Sequence, residues 1–128
     1  MVQDEELPAH QVPQEAIQMN IDGFNSLATG NIAAAEKTWK EAFAKYPNFE
    51  WPYSNLSIVY IRQNQWSEAE SCLYKAIVIN PFYTNAFLRL AVVKKTKSDI
   101  SGAKSCVLQA LKADPDDPQA KAFLQELQ

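Results

Sequence analysis

Residues 50–83 read EWPYSNLSIVYIRQNQWSEAESCLYKAIVINPFY, and a related pattern occurs once before and once after this stretch at a constant spacing. Each copy ends near a proline, which is Pro47, Pro81 or Pro115. Other columns at the same spacing are Ala35, Ala69 and Ala103; Ala42, Ala76 and Ala110; Gly23, Ser57 and Ala91; Met19, Tyr53 and Phe87; Ile32, Trp66 and Ile100; Trp39, Leu73 and Val107. Such a periodic pattern indicates a repeat array, in which each repeat packs mainly on its neighbours.

Each copy contains two segments with helical periodicity. The pattern predicts first helices at about 16–29, 50–63 and 84–96, and second helices at about 32–45, 66–79 and 100–113. Turn residues separate the two helices at Gly30, at Asn64 and at Ser98, and a residue before proline ends each second helix. A final amphipathic stretch, residues 118–128, predicts a single helix that caps the exposed end of the array.

These columns resemble the tetratricopeptide repeat, in which a helix-turn-helix unit recurs at the same spacing as the three prolines of this chain. The resemblance implies an all-α, right-handed α-solenoid with repeats at 16–49, 50–83 and 84–117 and a capping helix at 118–128. Repeat three departs from the pattern at Lys94, where a tyrosine is usual. Repeat one departs at Asp22 and Ser26, where a leucine and a tyrosine are usual.

Composition fits one globular domain. The 128 residues are 47% hydrophobic and carry a formal net charge of -3. The chain therefore lacks the overall basic character that is typical of proteins that bind nucleic acid. Residues 1–15 are acidic and contain two prolines, which predicts a flexible lead-in, and the single histidine, His10, has no partner there for metal or triad chemistry. The absence of a signal-peptide pattern favours a cytoplasmic protein, although a secreted mature fragment would have the same features.

The two cysteines, Cys72 and Cys106, occupy equivalent positions in adjacent repeats. Stacked repeats separate equivalent atoms by about 10 Å, beyond the roughly 7 Å Cα limit of a disulfide, so both cysteines are expected to be reduced. No zinc spacing, phosphate-binding loop or catalytic constellation occurs, which predicts no cofactor, no metal and no enzymatic activity.

In proteins with this repeat, the first helices line a concave groove that binds partners. Transferring the groove positions to this chain gives a candidate binding surface that is apolar at one end and polar to basic at the other. Its residues are Ile21, Phe24, Trp51, Asn55, Ile58, Arg62, Leu88, Arg89 and Val92. Some relatives hold chaperone C-termini in a carboxylate clamp, but here only Asn55 and Arg89 match it, because the other clamp positions hold Asn20, Phe24 and Asn85.

The first helix leaves two interpretations open. Ile17, Ile21, Phe24 and Ala28 form an apolar stripe with Leu27. The helix either rotates to bury this stripe or keeps the repeat register and presents it to the groove.

The resemblance implies a protein–protein interaction module, such as an adaptor, assembly factor or co-chaperone, that binds a peptide or helix with apolar anchors. The alternative is a structural protein that forms a homodimer through the first repeat or the capping helix. A third hypothesis is anion or RNA binding by the lysines of repeat three, which include Lys94, Lys95 and Lys97. No nucleic acid or membrane partner is expected.

Overall fold

A computed structural model describes residues 12–128, which form seven helices. The helices are α1 (Gln14–Ala28), α2 (Ile32–Lys45), α3 (Glu50–Arg62), α4 (Trp66–Ile79), α5 (Thr84–Thr96), α6 (Ile100–Ala113) and α7 (Pro118–Leu127). Their bounds agree closely with those of the predicted helices. The predicted lead-in lies mostly outside the described residues, as does His10, but Gln14 and Glu15 are helical.

The turn inside each repeat uses a left-handed backbone residue at the same position. Gly30, Asn64 and Ser98 have φ angles of 84°, 59° and 66°. Glycine and asparagine adopt this conformation at low cost, and it ends the first helix of the pair. The next helix begins at a side-chain cap in two of the repeats, where Asn31 accepts from Ala34 N and Asp99 accepts from Gly102 N. The sequence prediction of these turns is confirmed.

Helix pairs within the repeats meet at small residues. The alanines at 35, 42, 69, 76, 103 and 110 are all fully buried. In repeat one, Gly23 lies against the fully buried Trp39, and a Cβ atom built on Gly23 would be 2.4 Å from Trp39 Cε2. The equivalent pairs are Ser57 with Leu73 and Ala91 with Val107, so the smallest residue on a first helix stands opposite the largest partner.

A second set of positions packs one repeat on the next. It is buried in α3 (Pro52, Leu56, Val59) and in α5 (Ala86, Leu90, Val93), but its equivalents in α1 are exposed and polar (Gln18, Asp22, Asn25). The departure at Asp22 follows from this exposure, because α1 has no preceding repeat packed on it in the described structure. Helix α7 buries Ala120 and Leu127 on repeat three, and its opposite side exposes Lys121 and Gln125. Both end helices thus turn polar side chains outward.

Lys94 replaces the usual tyrosine with an ionic contact between repeats. Its Nζ lies 3.3 Å from Glu70 Oε2 and 5.7 Å from the centre of the Tyr74 ring, while Lys97 Nζ lies 2.9 Å from Glu70 Oε1. Lys95 Nζ lies 2.8 Å from Glu126 Oε1. The three lysines of the anion-binding hypothesis are therefore each paired with a carboxylate, which leaves them less free to bind an added anion.

Both cysteines are free, as predicted, and burial raises the pKa of the Cys72 thiol to about 11. We expect a thiol reagent at pH 8 to modify Cys72 at least ~100-fold more slowly than a small free thiol, because the thiolate is the reacting form. Timed labelling with an aromatic disulfide, followed by mass spectrometry, measures the rate, and the urea-unfolded chain is the control. Labelling of the folded chain at the unfolded rate would contradict this expectation.

Candidate functional site

The first helices of the repeats lie side by side with α7. Hydrogen bonds connect α1 to α3 and α3 to α5, and the contact of Lys95 with Glu126 connects α5 to α7. We call the exposed surface of α1, α3, α5 and α7 the groove surface. Helices α2, α4 and α6 form the second layer behind it.

A polar network crosses the floor of the groove surface. Asn55 Nδ2 donates to Asn20 Oδ1 at 2.7 Å, and Arg89 Nη1 donates to Asn55 Oδ1 at 3.1 Å. Arg89 Nη1 also reaches the backbone oxygen of Ser54 at 3.0 Å and its Oγ at 2.9 Å, and Ser54 Oγ donates to Asn85 Oδ1 at 2.8 Å. The network therefore joins all three repeats.

Burial changes the role expected for Asn55. Asn55 is only 5% exposed, and both its amide nitrogen and its amide oxygen form hydrogen bonds within the chain. The amide keeps one further donor and one further lone pair, but its burial leaves little of it within reach of a ligand. Asn55 instead holds Arg89 in place from below.

Arg89 is the charged centre of the groove surface. Burial lowers the pKa of its guanidinium, which nevertheless stays protonated. Within residues 12–128 no carboxylate lies within ion-pair distance of Arg89, and all three of its hydrogen bonds use Nη1. Among the described residues, none forms a hydrogen bond with its Nε or Nη2.

Apolar side chains lie on the three helices that this polar network joins. Ile21, Phe24 and Val92 are 43%, 38% and 41% exposed, and Ile58 and Leu88 are half-buried. The Phe24 ring also packs edge-on against Trp39, with ring centres 5.2 Å apart. An exposed apolar set together with a partly buried cation suits a ligand that is mainly apolar.

Trp51 and Arg62 lie at opposite ends of α3, about 16 Å apart. Trp51 is 38% exposed and leans on Phe49, with ring centres 5.1 Å apart. Arg62 is exposed and has no ion pair in the part of the chain that the structure describes. These two residues therefore lie toward opposite ends of the groove surface.

The structure chooses between the two interpretations of α1. Gly23 faces Trp39, and Trp39 Nε1 donates to the backbone oxygen of Asn20 at 3.2 Å. These contacts fix α1 in the repeat register, with Ile21 and Phe24 partly exposed. The rotation that would bury the stripe does not occur.

Sequence reasoning missed the continuation of the groove onto α7. A cleft of about 610 Å³ lies between α5 and α7, with Val92 and Phe123 in its lining. Lys95 Nζ lies 5.8 Å from the centre of the Phe123 ring. The repeat spacing contains the signal, because Phe123 stands one full repeat period after Arg89, but the prediction treated α7 as a cap or a dimer contact and not as part of the groove.

Among residues 12–128, no three His, Cys, Asp or Glu side chains are grouped in a way that could hold a metal ion. None of the helices in this range is long and apolar enough to cross a bilayer.

No protein-family model matches the chain. Cellulose synthase operon protein C of Xanthomonas axonopodis pv. citri (strain 306) is 25% identical in an alignment of 115 residues that covers 84% of this chain. The chain spans only 8% of the length of that protein.

Solved structures resemble the chain more fully. The first TPR domain of Spaghetti (RPAP3), bound to the HSP90 peptide SRMEEVD, superposes with a TM-score of 0.83 at 21% identity over 89% of this chain and 93% of that one. The Sgt2 TPR domain of Aspergillus fumigatus gives 0.82 at 22% identity, over 94% and 82%. The second TPR domain of human RPAP3, in complex with the HSP70 peptide SGPTIEEVD, gives 0.79 at 21% identity, over 94% and 98%.

These superpositions extend over 89% to 94% of this chain. The chain therefore has the tetratricopeptide repeat fold, with three repeats and a C-terminal capping helix.

Proposed function

We propose that this chain is a non-catalytic module that binds a peptide or helix of a partner protein on its groove surface. Adaptors, assembly factors and co-chaperones all use such modules. The observation that carries the proposal is the exposed apolar set on three neighbouring helices, together with Arg89, which has no carboxylate partner in the described chain.

Apolar contacts supply most of the expected binding energy. Covering roughly 300 Å² of Ile21, Phe24, Ile58, Leu88 and Val92 would contribute about 7 kcal/mol, against association costs of similar size. A single carboxylate of the partner over Arg89 would pair with the remaining guanidinium donors. A partner segment with two or three apolar anchors and one acidic residue fits this surface.

The groove does not carry a complete carboxylate clamp. At the clamp positions that hold Asn20, Phe24 and Asn85 here, two cations and one amide of the clamp are missing, and Asn20 is already bonded to Asn55. The peptide SRMEEVD, which binds the Spaghetti domain, is therefore expected to bind this chain weakly.

Self-association through the ends of the array is the second candidate named from the sequence. The outward sides of α1 and α7 expose Gln18, Asp22, Lys121 and Gln125. Polar side chains at both ends do not favour a dimer through either of them.

Ile58→Asp and Val92→Asp are each expected to weaken partner binding at least ten-fold, about 1.4 kcal/mol, because a carboxylate replaces an apolar contact. A displayed peptide library selected on the wild-type chain provides the ligands, and calorimetry with single peptides measures their affinities. SRMEEVD serves as a reference peptide.

Leu108→Asp is the matched control, because Leu108 is 53% exposed on α6, away from the groove surface. Circular dichroism checks that each variant is folded. Peptides that bind both groove variants with wild-type affinity, or that are lost only with Leu108→Asp, would show that the groove surface is not the binding site.

A further inference from the structure

Repeat two has an apolar patch on the second layer that the other repeats lack. Tyr74, Val78 and Phe82 are 46%, 81% and 76% exposed, and they recur at every fourth position along α4 and the turn after it. We call these three residues the α4 patch. The equivalent residues are Lys40, Ala44 and Asn48 in repeat one, and Leu108, Lys112 and Asp116 in repeat three.

The repeat fold alone does not require this patch. Equivalent positions share the same backbone environment, yet only repeat two has a large apolar side chain at all three. Val78 and Phe82 are also more exposed than the other large apolar residues of the described chain. A contiguous apolar patch of a few hundred Å² on a protein surface is often functional.

Phe82 is presented on an ordered turn. Asn80 Oδ1 accepts from Phe82 N at 3.0 Å, and the Asn80 backbone oxygen accepts from Tyr83 N at 3.1 Å. Asn80 Nδ2 donates to Glu50 Oε2 at 2.8 Å, which connects the turn to α3. A side chain on a fixed backbone loses little freedom when it is buried by a partner.

A cleft lies beside the α4 patch, and two of the patch residues, Tyr74 and Val78, line it. It has a volume of about 320 Å³ and is lined by Pro47, Tyr53, Tyr74, Lys75, Val78 and Ile79. The Tyr53 side chain in this lining is held in place, because its ring stacks on Phe43 with ring centres 4.3 Å apart. Val78 belongs both to the α4 patch and to the lining of the cleft.

We propose that the α4 patch binds a second copy of this chain, with Phe82 of each copy in the cleft of the other. The chain carries both halves of the contact, a projecting ring and an apolar cleft, on one face and one helical turn apart. A two-fold axis near Val78 brings both halves together twice. A symmetric interface of this kind uses the same surface on both copies.

The available area sets the strength of the contact. From their exposed fractions, the three patch residues offer roughly 400 Å² per copy, so the pair buries about 800 Å² plus the rim of the clefts. Stable dimers bury about 1,200 Å² or more in total. The dimer is therefore a weak one that forms at high concentration and leaves the groove surfaces free.

Sedimentation equilibrium of the full chain between about 10 µM and about 1 mM tests the proposal. The weight-average mass of the wild type is expected to rise above 14.4 kDa as the concentration increases. Phe82→Asp and Val78→Asp should remain at the monomer mass throughout. Leu108→Asp, which changes an exposed leucine on the neighbouring helix, should associate like the wild type.

Isotope-filtered NMR on a mixture of labelled and unlabelled wild-type chain locates the contact. We expect intermolecular contacts between the Phe82 ring and the Val78 methyl groups. A wild-type mass of 14.4 kDa at every concentration would overturn the proposal. Association of the Phe82→Asp variant would also overturn it. If the groove variant Val92→Asp then fails to associate, the contact lies on the groove surface instead.

Discussion

Gly23→Ala is expected to lower the free energy of unfolding by about 2 kcal/mol or more. The new Cβ atom would lie 2.4 Å from Trp39 Cε2 and Nε1, and Trp39 is a rigid, fully buried ring. Overpacking of a filled core costs about 1–3 kcal/mol or more. Alanine favours a helix over glycine by roughly 1 kcal/mol, so helix propensity alone would raise the free energy of unfolding. A decrease therefore indicates overpacking against Trp39, and an increase indicates that helix propensity dominates. Urea unfolding followed by circular dichroism measures the change.

Trp39→Leu provides the matched background for this test, because leucine stands at the equivalent position 73 of repeat two. With the ring removed, Gly23→Ala should be neutral or stabilise the chain by up to about 1 kcal/mol. The same loss of stability in both backgrounds would show that the Trp39 ring does not set the size limit at Gly23.

Asn55→Ala is expected to lower the free energy of unfolding by about 2–3 kcal/mol. The change removes the donor to Asn20 and one acceptor of Arg89 in a buried site, and a buried polar group without its partner loses its compensation for desolvation. The same variant should also weaken peptide binding, since Arg89 loses a contact that fixes its position. Chemical unfolding monitored at several urea concentrations gives the free energy.

Asn85→Ala is the control for the network, because Asn85 is exposed and lies at its edge, where it accepts a hydrogen bond from Ser54. Its change in unfolding free energy should stay within about 1 kcal/mol. An Asn55→Ala protein as stable as the wild type would mean that water replaces the lost partners and that the network does not stabilise the fold.

The fold could be predicted from the sequence because its signals are local and occur three times. Pro47, Pro81 and Pro115 end the second helices, and Gly30, Asn64 and Ser98 end the first ones. Each of these residues ends a helix through its own backbone conformation. Neighbouring repeats only reinforce a helix boundary that is already set locally. Even the odd residue Asp22 agrees with the structure, because it occupies an exposed end.

The floor of the groove could not be predicted in the same way. An asparagine at a groove position suggests a ligand contact, and only the structure shows that Asn55 is bonded to Asn20 on the first helix of the preceding repeat. That contact depends on how closely α1 approaches α3, which no local pattern specifies. The cleft beside Phe123 was missed for a related reason, since the short last helix was predicted to cover the core rather than to line the groove.

The unequal pairs in the helix crossings also bear on how the chain avoids errors while it folds. Repeats that are too alike can dock out of order, with a helix packed on the partner of a neighbouring repeat. Trp39 can be accommodated by Gly23, whereas Ser57 or Ala91 in the same place would put a side chain into the ring. A shift by one repeat is thus penalised at its first crossing. The paired side chains at the crossings differ in size from repeat to repeat. Each first helix therefore fits best on the second helix of its own repeat, which favours the correct order of assembly.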